Sequence, residues 1–392
     1  MEGELKLAMK QPRIMVLTLS FGLGHVRAAK TIACELLRQA PNAEVCLIDV
    51  LAAPRFLFRA GYVWPYWAMV QYAPNLWDRF FRRRLERKSR HTAPEWAFQF
   101  GCPYVFKAIQ DFDSDTIVAT EVAACEIAAI AKRRGLSNAR IVNVITDYEA
   151  EPVWVQPEVD IYAVGDKFVA GQLAAWGAPL DKIYVCGIPT APSFLVPQDR
   201  HSTLAKYELN DTAPIVLIMG GGMGPTHMDQ VAAAILESAQ PIQIVAIAGH
   251  DKHAHRRLNG LESLRSASLL VLGWTDDVAA LMQLAFVLVT KPGGLTISEA
   301  VTSALPLVMF DAIPGPERRN AKRIAASGAG VLTNSAREAA LFALRLLHDE
   351  RARQRMSASA KKLARPEATA TIARLALNET MPVPGLARSM TA

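Results

Sequence analysis

The sequence is short of cysteine and of long apolar runs. Its five cysteines, Cys34, Cys46, Cys102, Cys125 and Cys186, are scattered, with no CxxC pair and no metal-ligand spacing. That pattern excludes a disulfide scaffold and a zinc module, and it reads as buried core thiols in a reducing compartment. No metal site is expected. A membrane-spanning helix needs about 18–20 consecutive apolar residues, and no uninterrupted run in this chain approaches that. Residues 1–10 carry charges and no apolar core, so no secretory signal peptide is expected. The expectation is a soluble or peripheral, cytoplasmic protein. With 392 residues, 51% hydrophobic and 20% charged, there is apolar material for two cores.

Positive charge is unevenly placed. The net charge is +6, yet residues 55–90 alone hold nine Lys/Arg against Asp78 and Glu86, leaving the rest of the chain close to neutral. The same stretch holds ten aromatics, including Trp64, Trp67 and Trp77.

A short apolar run over 14–19 predicts a strand. The turn Phe21-Gly22-Leu23-Gly24-His25 follows, and then apolar residues recur at helical spacing. With the next strand at 45–50 this is a βαβ unit. Further strands are expected at 116–119, 141–145, 161–164 and 183–185, with a helix over 122–134. Residues 189–214 are polar and proline-bearing and read as a linker. The grammar then restarts. A strand over 215–219 leads into Gly220-Gly221-Gly222-Met223-Gly224 and a helix over 227–238. More strands are expected at 244–248, 269–272, 286–289, 307–310 and 330–332. After that comes helical pattern over 337–363 and 367–378, with Pro366 at the break. Alternating strands and helices imply α/β architecture, here two Rossmann-like domains facing a cleft, with ligands beyond the carboxyl ends of the strands. The domains are expected over 12–195 and 196–365, with a terminal helix, 366–380, returning to the first.

The glycine turns are the candidate sites. Gly22-Leu23-Gly24 exposes backbone N–H groups at a helix start. A dinucleotide fingerprint needs a third small residue where Arg27 stands, which argues against a nicotinamide site although Asp49 ends the second strand. His25 lies in the first helical turn, where the dipole disfavours the imidazolium, so a neutral ring could take a proton from a hydroxyl; it could equally be a plain helix-start hydrogen-bonder. Gly221, Gly222 and Gly224 make an anion nest plausible. Gly293 and Gly294 open a helix whose free N–H groups, with the Thr296 hydroxyl, suit a diphosphate. Glu299, one turn on, suits ribose hydroxyls, or is simply an acid placed to match the dipole. Glu317 and Asn320 share a helix face and suit a sugar, or are solvated surface residues.

Four segments resemble the monogalactosyldiacylglycerol synthase and processive diacylglycerol glucosyltransferase family, relatives of the peptidoglycan glycosyltransferase MurG. They are Ser20-Phe21-Gly22-Leu23-Gly24-His25 with Ala28-Ala29; Thr146-Asp147 with Gly187-Ile188-Pro189; Thr290-Lys291-Pro292-Gly293-Gly294-Leu295-Thr296-Ile297-Ser298-Glu299-Ala300; and Pro314-Gly315-Pro316-Glu317 with Asn320. The resemblance runs from about residue 13 to 330 and implies the GT-B fold. It implies inverting transfer from UDP-glucose or UDP-galactose to diacylglycerol or a related lipid, with no cofactor or metal. His25 is then the acceptor-side base candidate, with Asp147 and Glu121 as rivals. The glycine nest and the Gly293–Thr296 helix start would hold the diphosphate, Glu299 the ribose, and Gly273 with Trp274 the uracil. Pro316 stands where the family has a glutamine that helps read the sugar, which leaves the hexose open. The acidic run after Asp147 leaves the acceptor open.

The implied activity gives the basic aromatic stretch a use. Trp and Tyr suit a water–lipid boundary and Lys/Arg suit anionic headgroups, so Trp64, Trp67, Arg82, Arg83 and Arg84 are expected to dock on anionic membrane lipids at the inner face of the cell membrane. The plainer alternative is a helical insertion with core aromatics and a solvated cationic face. Single-stranded nucleic acid also binds such stretches, but that reading leaves the glycine turns unexplained, so no nucleic-acid partner is expected. The competing functions are a transferase for another hydrophobic acceptor, a nucleotide-sugar epimerase, and a non-catalytic nucleotide-sugar-binding membrane protein.

Overall fold

The computed structural model describes residues 11–221, 226–238, 240–262 and 267–379. Gly222 and Gly224 lie outside the described residues. Six strands form the first sheet: β1 (Arg13–Thr18), β2 (Glu44–Asp49), β3 (Thr116–Ala119), β4 (Arg140–Val144), β5 (Ile161–Val164) and β6 (Ile183–Val185). Six form the second: β7 (Ile215–Met219), β8 (Ile242–Gly249), β9 (Ala267–Gly273), β10 (Val287–Thr290), β11 (Leu307–Met309) and β12 (Gly330–Leu332). All pairings are parallel. The central strands β3, β7 and β10 are buried at every position, as strands covered by helices on both faces must be.

The orders are β2-β1-β3-β4-β5-β6 and β12-β11-β10-β7-β8-β9. Strand order reverses between β1 and β3 in one sheet and between β7 and β10 in the other. Crevices open at such points, beyond the carboxyl ends of the strands. The first carries the Phe21–His25 turn and Thr120-Glu121. The second carries Gly221 and the segment from Lys291 to Thr296. This is the expected GT-B arrangement of two Rossmann-like domains.

The linker stretch, 189–214, holds a single 3₁₀ turn, Pro192–Phe194, and a helix, Arg200–Lys206, started by Asp199, whose carboxylate accepts from the N–H groups of His201 and Ser202. Two local expectations need correction. The helical stretch over 337–363 is two helices, Ala336–His348 and Glu350–Leu363; Asp349 breaks it by accepting from Ala352 N–H at 2.8 Å, an N-cap bond that a mid-helix residue cannot make. Cys34 is exposed and Cys46 partly so, whereas Cys102, Cys125 and Cys186 are core. The last helix, Ala368–Ala376, packs Ile372, Ala373, Leu375 and Ala376 against Ile14, Val16, Ile32 and Leu36 of the first domain.

Between β2 and β3 the basic aromatic stretch forms the helices Trp64–Tyr72 and Pro74–Glu86, the second opened by Pro74 at its first turn. Its inner aromatics are core: Phe58 and Tyr62 cluster with Phe98 of the helix Glu95–Gly101, and Tyr66 stacks on Phe21 at 4.6 Å. Phe56, Leu57, Trp64, Tyr72, Leu76 and Phe80 are exposed. The stretch is thus both a packed insertion and an exposed apolar surface.

Candidate functional site

A cavity of about 190 Å³ lies between the two switch points, bordered by the Phe21–His25 turn, Tyr66, Trp77, Thr146, Asp147, Gly221, Lys291, Gly293, Gly294, Thr296 and Glu317. From the first domain, Gly22 sits extended before the helix Leu23–Gln39, which places His25 in the first turn. His25 Nδ1 is 3.0 Å from the Thr120 carbonyl oxygen and 2.9 Å from Thr146 Oγ1. A carbonyl can only accept, so Nδ1 carries a proton, and in the neutral ring the lone pair is on Nε2.

The rival carboxylates are engaged. Glu121 caps the helix Val122–Arg133, accepting from Ala123 N–H at 2.7 Å and Ala124 N–H at 3.3 Å. Burial pushes its carboxyl up, opposed by His25. Asp147 Oδ1 accepts from Asn320 Nδ2 at 2.8 Å. His25, Glu121 and Asp147 also border a second cavity of about 300 Å³, walled by Tyr62, Met69 and Trp77 of the insertion.

From the second domain, Gly293 precedes the helix Gly294–Thr302, whose first turn faces the cleft. Lys291, only 2% exposed, borders the same cavity. Gly221 holds φ +73°, a left-handed conformation suited to glycine. Gly294 has a further constraint: a Cβ there would sit 2.0 Å from the Thr146 carbonyl oxygen and 3.0 Å from Asp147 Oδ1. Only glycine lets the two domains meet at this point.

A third cavity of about 70 Å³ adjoins the helix start, bordered by Arg27, Gly249, Trp274, Thr275, Thr296 and Glu299. Trp274 stacks on His250 at 4.7 Å, and Gly273 ends β9 beside Gly249. Glu299 is 2% exposed, and Oε2 has no hydrogen-bond partner among the described residues. Burial raises its carboxyl to about 7, opposed by Arg27, whose Nη2 lies 3.3 Å from Oε1.

Two expected site residues are placed elsewhere. Asn320 is fully buried and does not face the cleft: it accepts from Tyr148 N–H at 2.9 Å and donates to Asp147 and the Pro292 carbonyl, bolting the domains together. Glu317, one turn before it, does border the cleft, held by Ile313 N–H at 2.9 Å; burial raises its carboxyl, opposed by Lys291. Arg84 is not a membrane-facing cation: it points inward to a buried pair with Glu151 and lies over Phe81 and Trp77. Arg82 and Arg83 are exposed, Trp64 is exposed and Trp67 is half-buried against the core. Lys291, Thr146, Tyr66 and Trp77 are residues that motif reading passed over. Lys291 stood inside the quoted donor motif without a role, and Trp77 was counted only among the membrane aromatics.

Residues 25–190 match the monogalactosyldiacylglycerol (MGDG) synthase family, and residues 200–363 match glycosyl transferases group 1. A processive diacylglycerol beta-glucosyltransferase of Bacillus cytotoxicus is 26% identical over 390 residues, covering 97% of this chain and 100% of that one. Acinetobacter baumannii MurG superposes with a TM-score of 0.59 at 15% identity, over 93% of this chain and 99% of that one. UDP-GlcNAc 2-epimerase from Neisseria meningitidis, bound to UDP-GlcNAc, superposes at 0.62 and 13% identity, over 94% and 100%. The fold alone therefore serves both transfer and epimerisation. The first half of the chain is thus similar to the monogalactosyldiacylglycerol synthase family and the second half to glycosyl transferases group 1, on a GT-B fold.

Proposed function

We propose that this protein moves a hexose from UDP-glucose or UDP-galactose to a diacylglycerol-type lipid, with inversion, at the inner face of the cell membrane. One observation carries the reading: across a single cleft, the His25 ring and the start of the Gly294–Thr302 helix face the same cavity. Single displacement needs a base on one side of the anomeric carbon and charge stabilisation of the leaving group on the other. His25 Nε2 takes the proton of the acceptor hydroxyl, while the Thr120 carbonyl holds Nδ1–H and fixes the tautomer. The leaving diphosphate lies on the helix N–H groups, Gly221, Thr296 and the Lys291 ammonium. Ribose hydroxyls donate to Glu299, and uracil lies by Trp274. The acceptor enters through the cavity under the insertion, whose exposed Phe56, Trp64 and Phe80 rest on lipid, with Arg82 and Arg83 on anionic headgroups.

The test is incubation with radiolabelled UDP-glucose or UDP-galactose and mixed lipid vesicles. Counts in the chloroform phase are expected. Their absence despite UDP-sugar binding would leave a non-catalytic binder, and interconversion of UDP-sugars without lipid would mean an epimerase. No association of folded protein with UDP or either UDP-hexose would overturn the reading.

A further inference from the structure

Trp77, like Tyr66, is a residue of the insertion that borders the cleft. It lies on the helix Pro74–Glu86, whose neighbouring Leu76 and Phe80 are exposed. Its ring borders both the central cavity and the acceptor-side cavity. The ring is held by Tyr66, edge-on at 5.0 Å, and by Phe81 at 6.2 Å. Phe81 is itself 2% exposed, with the Arg319 guanidinium of the second domain over its face. The opposite wall is the loop before the Pro316–Ser327 helix. Gly315 there has φ +97°, and a Cβ on it would lie 3.3 Å from Trp77 Nε1. The indole thus packs against the loop that carries Pro316 and Glu317.

The indole N–H is the unexplained group. Nε1 is buried and has no hydrogen-bond partner among the described residues. Buried indole donors ordinarily find one, because leaving a donor unsatisfied is costly. The position beside it is also short of a donor: Pro316 has no side-chain amide and no backbone N–H. A donor without an acceptor therefore stands next to the loop that carries Pro316 and Glu317.

We propose that Trp77 Nε1–H donates a hydrogen bond to a hydroxyl of the transferred hexose, supplying from the first domain a contact that Pro316 cannot supply from the second. This rests on the reading of the cleft as a UDP-hexose site. It makes Trp77 a specificity-determining residue for the sugar, carried on the helix that also presents Leu76 and Phe80 to the outside.

The experiment is calorimetry with UDP, UDP-glucose and UDP-galactose on wild type and W77F, which keeps an aromatic ring and loses the indole N–H with part of the bulk. UDP affinity is expected to stay within about twofold. Affinity for the better hexose donor is expected to fall by about fivefold, the scale of one lost hydrogen bond. An unchanged ratio of UDP-hexose to UDP affinity would overturn the proposal. Wild type that binds neither UDP nor UDP-hexose would instead remove the site reading beneath it. A second measurement does not depend on W77F folding: indole ¹H–¹⁵N spectra of the wild type, which has seven tryptophans. One indole signal should move with UDP-hexose but not with UDP, whereas Trp274 should respond to both. If no indole signal separates the two ligands, the contact does not exist.

Discussion

Arg27 of the first domain and Glu299 of the second face each other across the cleft, Nη2 to Oε1 at 3.3 Å, while the other Glu299 oxygen has no partner among the described residues. The pair is lopsided, because one guanidinium does not offset the burial of that carboxylate, which stands at about 7 instead of its ordinary 4.5. A raised carboxyl means that the folded state binds the proton more tightly than the unfolded chain does. The cost to stability is absent below about pH 4.5, grows through the interval up to about 7, and is fully present above it. It amounts to about 3 kcal/mol.

Ligand binding should run the other way. Ribose hydroxyls donate to an ionised carboxylate, so UDP affinity should rise as pH goes from about 6 to 8. In E299Q it should be weaker at pH 8 and nearly flat across that range. Calorimetry at several pH values checks this; a wild-type affinity independent of pH would remove Glu299 from the ribose.

Gly294→Ala would place a methyl on the Thr146 carbonyl oxygen, so the domains must part by an ångström or more. Misplacement on that scale costs about a hundredfold in turnover. Each domain keeps its own core, so the melting temperature should change little while small-angle scattering reports a more open molecule. Normal turnover in G294A would show that the interdomain contact is dispensable.

His25→Ala should lower kcat by about 10²–10⁴-fold, the usual contribution of a general base, and leave UDP affinity nearly unchanged. Thr146→Val removes only a hydroxyl beside Nδ1 and should cost much less. If D147N proves as damaging as H25A at unchanged domain packing, the base is Asp147.

The arginines at 82, 83 and 84 should separate into two classes. Replacing Arg82 and Arg83 by Ala should weaken co-sedimentation with anionic vesicles by about tenfold or more, at about 1 kcal/mol per cation, and the effect should fade with salt. Arg84→Ala should leave vesicle binding nearly intact but lower the melting temperature, because it strands the buried Glu151, whose carboxyl burial already pushes up. Equal vesicle effects at all three positions would contradict the inward placement of Arg84.

Much of the architecture was legible because it is written in local periodicity. Runs such as Ile215–Met219, buried at every position, alternate with helical spacing, and the glycine turns fall where strands end. What escaped was any feature in which a polar residue has two local readings of equal merit. Asp349 lies in good helical pattern, yet its side chain stops the helix. Asn320 and Glu317 are one turn apart on one helix, and only the neighbouring domain makes one a bolt and the other a cleft residue. Arg84 differs from Arg82 and Arg83 only in its angle around the helix, which carries meaning once Glu151 is in place.

The sequence by itself determined the two parallel sheets, the turns that open at their switch points and the family resemblance, because strand and helix periods and glycine placement are properties of neighbouring residues. Tertiary structure decided the rest: that Gly294 is an interdomain contact, that Arg27 meets Glu299, and that Trp77 leaves the basic aromatic stretch for the cleft. Those are meetings of residues more than a hundred positions apart, or of faces of one helix, and no local pattern encodes where a second domain will stand.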